Sequence, residues 1–353
     1  MGSVELGAGA AQTPELPSEF RTANLRRRGL QALAALTVLA AVILFAPGLG
    51  EIRAELSGAA PGWLAVAAAL EGLSFGSYIV MFAPIFCGQM GWRRSWQIGG
   101  SELAMGSLVP ASGLGGLALG AWVLHSGGMN AKWIARRSVA FFLIKSSVNF
   151  VAVAVIGTLL FVGLVGPELS PWLTIVPAGA AALAIGAVLL IPRLGPGSDP
   201  APEASRGRKA WSAFRRALIS GTSESIAIVR SGNFRVIGGA IGYWAFDNAV
   251  LWATFRAFGV TPEITVILMA YLLGQLGGLL PLPGGIGGID GGLIGALIVY
   301  GVPAAAAAAA VFAYRLILFW LPLIVGGLAF AALRRDMPGP TELARCQPSY
   351  AES

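Results

Sequence analysis

The apolar positions of this chain fall in long unbroken runs, without the strict alternation of a transmembrane β-strand. Runs at 30–49, 61–87, 138–165, 172–192, 236–258 and 304–331 each reach the roughly 20 residues that carry a helix across a bilayer. Two further apolar stretches, 95–128 and 264–302, are interrupted at their centres. One breaks at Val109-Pro110-Ala111-Ser112-Gly113-Leu114-Gly115-Gly116, the other at Pro281-Leu282-Pro283-Gly284-Gly285-Ile286-Gly287-Gly288. Each half holds about 13–17 residues, or roughly 20–25 Å of helix, which is short for a full span. The pattern predicts an all-α polytopic membrane protein with about six spanning helices and two Gly/Pro-broken re-entrant helical hairpins.

The segments between the runs complete the organisation. Residues 1–28 read as a disordered cytosolic tail, and residues 334–353 as a second cytosolic tail. The run at 30–49 is too long for the apolar part of a cleaved signal peptide and follows a long tail, so it reads as a span. The polar interval 194–235 opens as a Pro/Gly linker. It then places Trp211, Phe214, Leu218, Thr222, Ile226 and Val229 at three- and four-residue spacing beside Arg215, Arg216 and Arg230. That spacing predicts an amphipathic helix on the cytosolic membrane face.

Composition agrees with this picture. Of 353 residues, 56% are hydrophobic and 12% charged, against about 25% charged in soluble domains. A soluble enzyme and a disordered chain are both excluded. The net charge of +7 reflects topology. With the N-terminus in the cytosol, every basic residue except Arg53, Lys145, Arg256 and Arg315 falls on the cytosolic side, the positive-inside pattern. Both termini are then cytosolic and the protein multi-pass in the cell membrane. The basic groups meet anionic lipid headgroups there, not nucleic acid. The two cysteines, Cys87 and Cys346, offer neither a disulfide framework nor a metal cluster, and both fall on or near the reducing side.

The two broken stretches resemble each other. Leu108-Val109-Pro110 matches Leu279-Leu280-Pro281, and Leu114-Gly115-Gly116-Leu117 matches Ile286-Gly287-Gly288-Ile289, at an offset of about 171 residues. Repeat units at about 61–165 and 236–331 follow, each a helix, a hairpin and a helix. By the charge pattern they run in opposite directions, giving an inverted repeat of the kind found in transporters.

Six formal charges sit inside apolar runs: Glu71, Glu102, Lys145, Asp247, Asp290 and Arg315. Each costs roughly 2.5–3.5 kcal/mol at the bilayer centre, so each is expected to face a cavity or a partner. Four acids and two bases cannot pair completely. Arg315 offers a fork suited to phosphate or carboxylate, and Gly284 and Gly285 free backbone N–H groups beside it. Asp290, Arg315, Tyr314, Lys145, Gly284, Gly285, Asp247 and Glu71 are therefore the candidate substrate-binding residues. An internal Asp290–Arg315 bridge is the competing expectation, compatible with the first. Glu102 is expected near the cytosolic face, in contact with water. His125 has no ligand partners in spacing, and no Ser/His/Asp or Cys/His constellation occurs. No catalytic residue, metal site or cofactor is expected.

Pro281 to Asp290, the spacing to Gly301-Val302, and Ala313-Tyr314-Arg315 through Phe319-Trp320-Leu321-Pro322 to Gly326 resemble the lysylphosphatidylglycerol synthase transmembrane-region family. This flippase-like group is also called uncharacterised protein family 0104, and the resemblance covers residues 30–333. Where that family usually has Glu after the glycines, this chain has Asp290. The resemblance implies a flippase-like transmembrane domain over 29–333, without the soluble synthase domain. It implies a membrane protein that binds and flips an amphipathic or polyprenyl-linked lipid with an anionic or phosphate headgroup. The alternatives are a membrane partner of a lipid- or glycan-modifying enzyme, a proton-coupled transporter of a small solute, and assembly as a homo-oligomer.

Overall fold

The computed structural model describes residues 50–108, 114–195, 205–276 and 288–347, with parts of 24–37. Most of the predicted span at 30–49, most of the N-terminal tail and the centres of both breaks, Gly284 and Gly285 included, lie outside the described residues. Among the described residues every regular element is helical: α1 (Gly50–Ser57), α2 (Pro61–Phe86), α3 (Trp92–Leu108), α4 (Leu114–Ser126), α5 (Ala131–Phe161), α6 (Pro171–Leu190), α7 (Arg206–Arg230), α8 (Phe234–Ala257), α9 (Ile264–Leu276), α10 (Gly288–Val299) and α11 (Ala304–Arg335), with two short 3₁₀ turns.

The ends of these helices follow from local chemistry. Pro61 starts α2, where its missing N–H costs nothing. Asn130 caps α5 by accepting from the Lys132 N–H at 2.8 Å, and Asn233 caps α8 by accepting from the Arg235 N–H at 3.1 Å.

Among the described residues four helices are long and apolar enough to cross a membrane: Pro61–Phe86, Ala131–Phe161, Pro171–Leu194 and Ala304–Arg335. The predicted span 236–258 is the 24-residue α8, long enough but less apolar. Its middle carries Tyr243, Trp244, Asp247 and Asn248, and Asp247 and Asn248 are buried. The long–short–short–long order of α2–α5 recurs in α8–α11. The short helices pack in pairs, α3 on α4 and α9 on α10, and each pair also packs on the last helix of the other unit, α3 on α11 and α9 on α5.

Two apolar clusters fill the interior. One gathers Phe82, Phe86, Leu119 and Phe141, the other Val250, Leu251, Met269, Leu297 and Val311. Along α2, α5 and α8 the chain passes from one cluster to the other through a short polar stretch. Glu71 lies between Ala67 and Phe75, Lys145 to Asn149 between Ile144 and Val153, and Tyr243 to Asn248 between Ala240 and Val250. The structure thus holds a polar layer between two apolar ones.

At one end the C-terminal segment folds back as a strap. Arg94 at the start of α3 donates to Glu342 from Nε and Nη2, both at 3.1 Å, and to the Asp336 carbonyl. Leu343 is buried against Gly127, just past α4, and its N–H donates to the Gly127 carbonyl at 2.8 Å. Gly128 takes a left-handed φ of 95° under the Pro340 carbonyl, where a Cβ would lie 2.3 Å from that oxygen. Cys87 and Cys346 meet in this strap as a disulfide, correcting the expectation from sequence. A separation of 259 residues gives no local signal, and only the fold-back brings the two together. Both outer ends of the α3–α4 pair therefore meet the strap. The outer ends of the α9–α10 pair lie elsewhere. Thr265 packs on Gly166 beyond α5, and the Tyr300 hydroxyl donates to the Leu173 carbonyl of α6 at 2.7 Å.

The predicted amphipathic helix is α7. Its Ile219, Thr222 and Ser225 are buried. Glu224 bridges Arg136 at 3.4 Å and Arg137 at 3.1 Å on α5, while Trp211 and Phe214 stay exposed.

The crossing of α3 and α11 depends on Gly326, where an added Cβ would stand 2.2 Å from the Gly100 carbonyl oxygen. Gly326→Ala is expected to destabilise the fold by about 1–3 kcal/mol, the usual cost of overpacking. Gly327→Ala, with no atom within 4 Å of its Cβ position, is expected to be near neutral. Thermal unfolding of the two variants in detergent checks the pair, and equal midpoints would contradict this packing.

Candidate functional site

The polar layer contains two adjoining cavities. The first, about 210 Å³, is walled by Glu71 of α2, Asp247 of α8, Tyr271 of α9, and Tyr314 and Arg315 of α11. The second, about 220 Å³, is walled by Tyr78 of α2, Glu102 of α3, Phe141 and Lys145 of α5, and Gly116 of α4. Leu103, Ser107 and Tyr243 line both, so a shared wall of three side chains separates them. Each is large enough for several waters or a small polar headgroup.

In the first cavity Asp247 is the organising acid. It is 6% exposed and accepts hydrogen bonds on both oxygens, from the Tyr314 hydroxyl at 3.0 Å and from the Tyr271 hydroxyl. The three residues come from α8, α11 and α9, so the carboxylate ties one short helix to two long ones. Arg315, the next residue on α11, donates from Nε to Asp290 Oδ1 at 2.6 Å, with Nη2 2.5 Å from the same oxygen. Asp290 lies in the first turn of α10, where the helix dipole also favours a negative charge. Glu71 differs from both. It is buried, and among the described residues its Oε2 receives no hydrogen bond.

The second cavity is organised by Glu102 and Lys145. The Tyr78 hydroxyl donates to Glu102 Oε2 at 2.8 Å. Lys145 Nζ lies 5.5 Å from the centroid of the Tyr243 ring and 5.8 Å from that of Tyr78, within cation–π range of both. Among the described residues no carboxylate is within ion-pair distance of it. Farther along α5, Asn149 Oδ1 accepts from the Trp244 indole N–H at 3.0 Å and fixes α5 to α8.

The structure brings Glu71, Asp247, Tyr314 and Arg315 together around one cavity, with Asp290 bonded to Arg315 behind it. Lys145 lies in the adjoining cavity, across the Tyr243 wall. The alternative expected for Asp290 and Arg315, a bridge locking a hairpin to its neighbour, is present. Glu102 departs from expectation. It is 3% exposed and bonded by Tyr78, because α3 packs between α4 and α11 and buries this turn. Sequence reasoning passed over Tyr78, Tyr243 and Tyr271. The signal was that four of the chain's six tyrosines, Tyr314 included, lie in apolar helices near the embedded charges.

These arrangements place the Arg315 guanidinium and the Lys145 ammonium in the polar layer, each facing a cavity. Arg315 is pinned by Asp290, so removing one partner strands the other. Arg315→Gln alone is expected to cost about 3–5 kcal/mol, the range for breaking a buried pair. Arg315→Gln with Asp290→Asn is expected to cost less than the single change. Unfolding midpoints for the full double-mutant cycle check this, and additive effects would contradict the coupling.

The profile of the lysylphosphatidylglycerol synthase TM region matches residues 32–326. Three segments of similarity to proteins described as "UPF0104 membrane protein" from Methanothermobacter thermautotrophicus accompany it. One is 32% identical over 117 residues, covering 31% of this chain and 35% of that protein. A second is 33% identical over 115 residues, covering 32% and 34%. The third is 35% identical over 91 residues, covering 26% of each. The chain thus spans about a third of the length of the curated relatives it matches. The family match covers most of the chain and contains both cavities: this multi-pass membrane protein belongs to the lysylphosphatidylglycerol synthase transmembrane-region family.

Proposed function

We propose that this protein binds an amphipathic lipid, phospholipid or polyprenyl-linked, and carries its phosphate-bearing headgroup across the cytoplasmic membrane. The observation that carries this reading is the polar layer. Embedded charges from both helix units line two adjoining cavities, one with Arg315 and one with Lys145. Charges inside a membrane protein are expensive and mark substrate paths. The guanidinium fork suits a phosphate, the ammonium supplies a second point charge, and the apolar layers above and below suit acyl or prenyl chains. Family membership supports the reading.

The transport geometry in this reading is an inverted repeat. The α3–α4 and α9–α10 pairs are two re-entrant hairpins opening to opposite membrane faces. Two facts support it. The outer ends of the first pair meet the C-terminal strap, and those of the second meet the turn beyond α5 and the start of α6. The basic residues Arg93, Arg94, Arg136, Arg137, Arg334 and Arg335 collect at the strap end with α7, which makes that end cytosolic by the positive-inside rule. Trp211 and Phe214 of α7 then rest on the cytosolic leaflet. Headgroup passage requires the shared wall at Tyr243 to move, so that a phosphate held at one cation reaches the other.

The test is translocation of a headgroup-labelled phosphatidylglycerol by the purified protein in liposomes. The wild-type protein is expected to equilibrate the label between leaflets. Arg315→Ala and Lys145→Ala are each expected to slow it at least about tenfold, the effect of losing one charge-assisted hydrogen bond. Wild-type rates in both variants, with folding intact, would refute the assignment of this path.

A further inference from the structure

Of the four embedded acids, three have identified donors or counter-charges. Glu102 accepts from Tyr78, Asp247 from Tyr271 and Tyr314, and Asp290 from Arg315. Glu71 is the exception. It is 6% exposed, faces the Arg315 cavity, and among the described residues its Oε2 has no donor. Among the described residues no basic group lies within ion-pair distance of it. The undescribed centres of the two breaks, 109–113 and 277–287, contain no Lys, Arg or His that could reach it.

The groups around that cavity set its charge. Asp247 and Tyr243 face it from α8, Tyr271 and Gln275 from α9, Tyr314 and Arg315 from α11, and Ser107 from α3. Arg315 is balanced by Asp290 of α10. Lys145 of α5 and Glu102 of α3 face the neighbouring cavity. Asp247, whose two oxygens both accept from tyrosine hydroxyls, already presents one carboxylate to the space, and an ionised Glu71 would add a second. A phosphate drawn to Arg315 would meet both. With a proton on Glu71, one of those charges is gone and the carboxyl gains an O–H that donates to a phosphate oxygen.

We propose that Glu71 is a proton-binding site that loads together with the anionic headgroup, making the protein a proton–lipid symporter. The proposal rests on the lipid-carrying reading above and adds the coupling ion. One proton is taken from water on the side where the headgroup enters, is held by the Glu71 carboxyl, and is returned to water where the headgroup leaves. Because coupling between two binding sites is reciprocal, the headgroup strengthens proton binding by the same factor as the proton strengthens headgroup binding. An inward proton gradient then drives the lipid inward.

The test is calorimetric titration of the full-length protein in detergent with short-chain phosphatidylglycerol, across pH and in buffers of different protonation enthalpy. The wild-type protein is expected to take up a proton per lipid bound, and its affinity is expected to weaken toward about tenfold per pH unit as the medium becomes alkaline. Glu71→Gln keeps the size of the side chain and its neutral form. It is expected to bind the lipid with an affinity that no longer varies with pH, and to elute from size-exclusion chromatography as the wild type does. The wild-type proton count stands whether or not that variant folds. PH-independent wild-type binding, or a slope retained in Glu71→Gln, would overturn the proposal and leave the lipid reading in place. Proton release on binding would also overturn it, since a carboxyl that loads with the anionic headgroup must take up a proton rather than give one up. Absence of phosphatidylglycerol binding at every pH would overturn the proposal together with the anionic-headgroup reading beneath it.

Discussion

A charge in the hydrocarbon interior of a membrane is costly, and this protein carries six of them within its apolar runs, each on a different helix. The central element is Asp247. Two tyrosine hydroxyls from α9 and α11 hold its oxygens, so one buried carboxylate fixes the relation between a short helix and two long ones. Arg315 sits one residue beyond Tyr314, and the hydroxyl that steadies Asp247 therefore also sets the place of the guanidinium. Asp290 then fixes α10 to α11. The walls on this side of the cavity are consequences of these bonds, since α8, α9 and α11 are joined through Asp247 and α10 through Asp290.

The scaffold makes such an interior affordable by segregating it. Above and below lie apolar clusters built from the same helices, and glycine lets the helices that carry the charges approach closely. Each pair of short helices packs against the last helix of the other unit, so the pairs cannot shift independently of the opposite half. A polar layer placed between two such units is biased by movement of either one. The proposed passage of a headgroup between the cavities on either side of Tyr243 would require such movement.

Much of this was legible in the sequence, for physical reasons that differ from element to element. Long apolar runs report the bilayer directly, and α2, α5, α6 and α11 emerge with close boundaries. The charges at Glu71, Asp247, Asp290 and Arg315 stood out because nothing else in their runs is charged, and the Asp290–Arg315 bridge was one of two readings in view. Other features were hidden because they depend on who packs on whom. Glu102 is buried because α3 lies between α4 and α11. Lys145 faces a cavity separate from that of Arg315 because Tyr243 projects between them. The tyrosines look like ordinary apolar filling until their hydroxyls are seen on Asp247 and Glu102. Cys87 and Cys346 meet only because residues after α11 fold back onto the end of α4. The Gly/Pro breaks, with Gly284 and Gly285, lie outside the described residues, and their part in the site stays with the proposal.

The central claim is that the polar layer is a headgroup site. Native mass spectrometry of the protein released from detergent, with identification of the lipids it retains, tests this most directly. The account predicts strong enrichment of one phosphate-bearing lipid class over the bulk membrane, with the enrichment lost in Arg315→Ala and Lys145→Ala. A retained lipid profile matching the bulk membrane, unchanged in those variants, would contradict it.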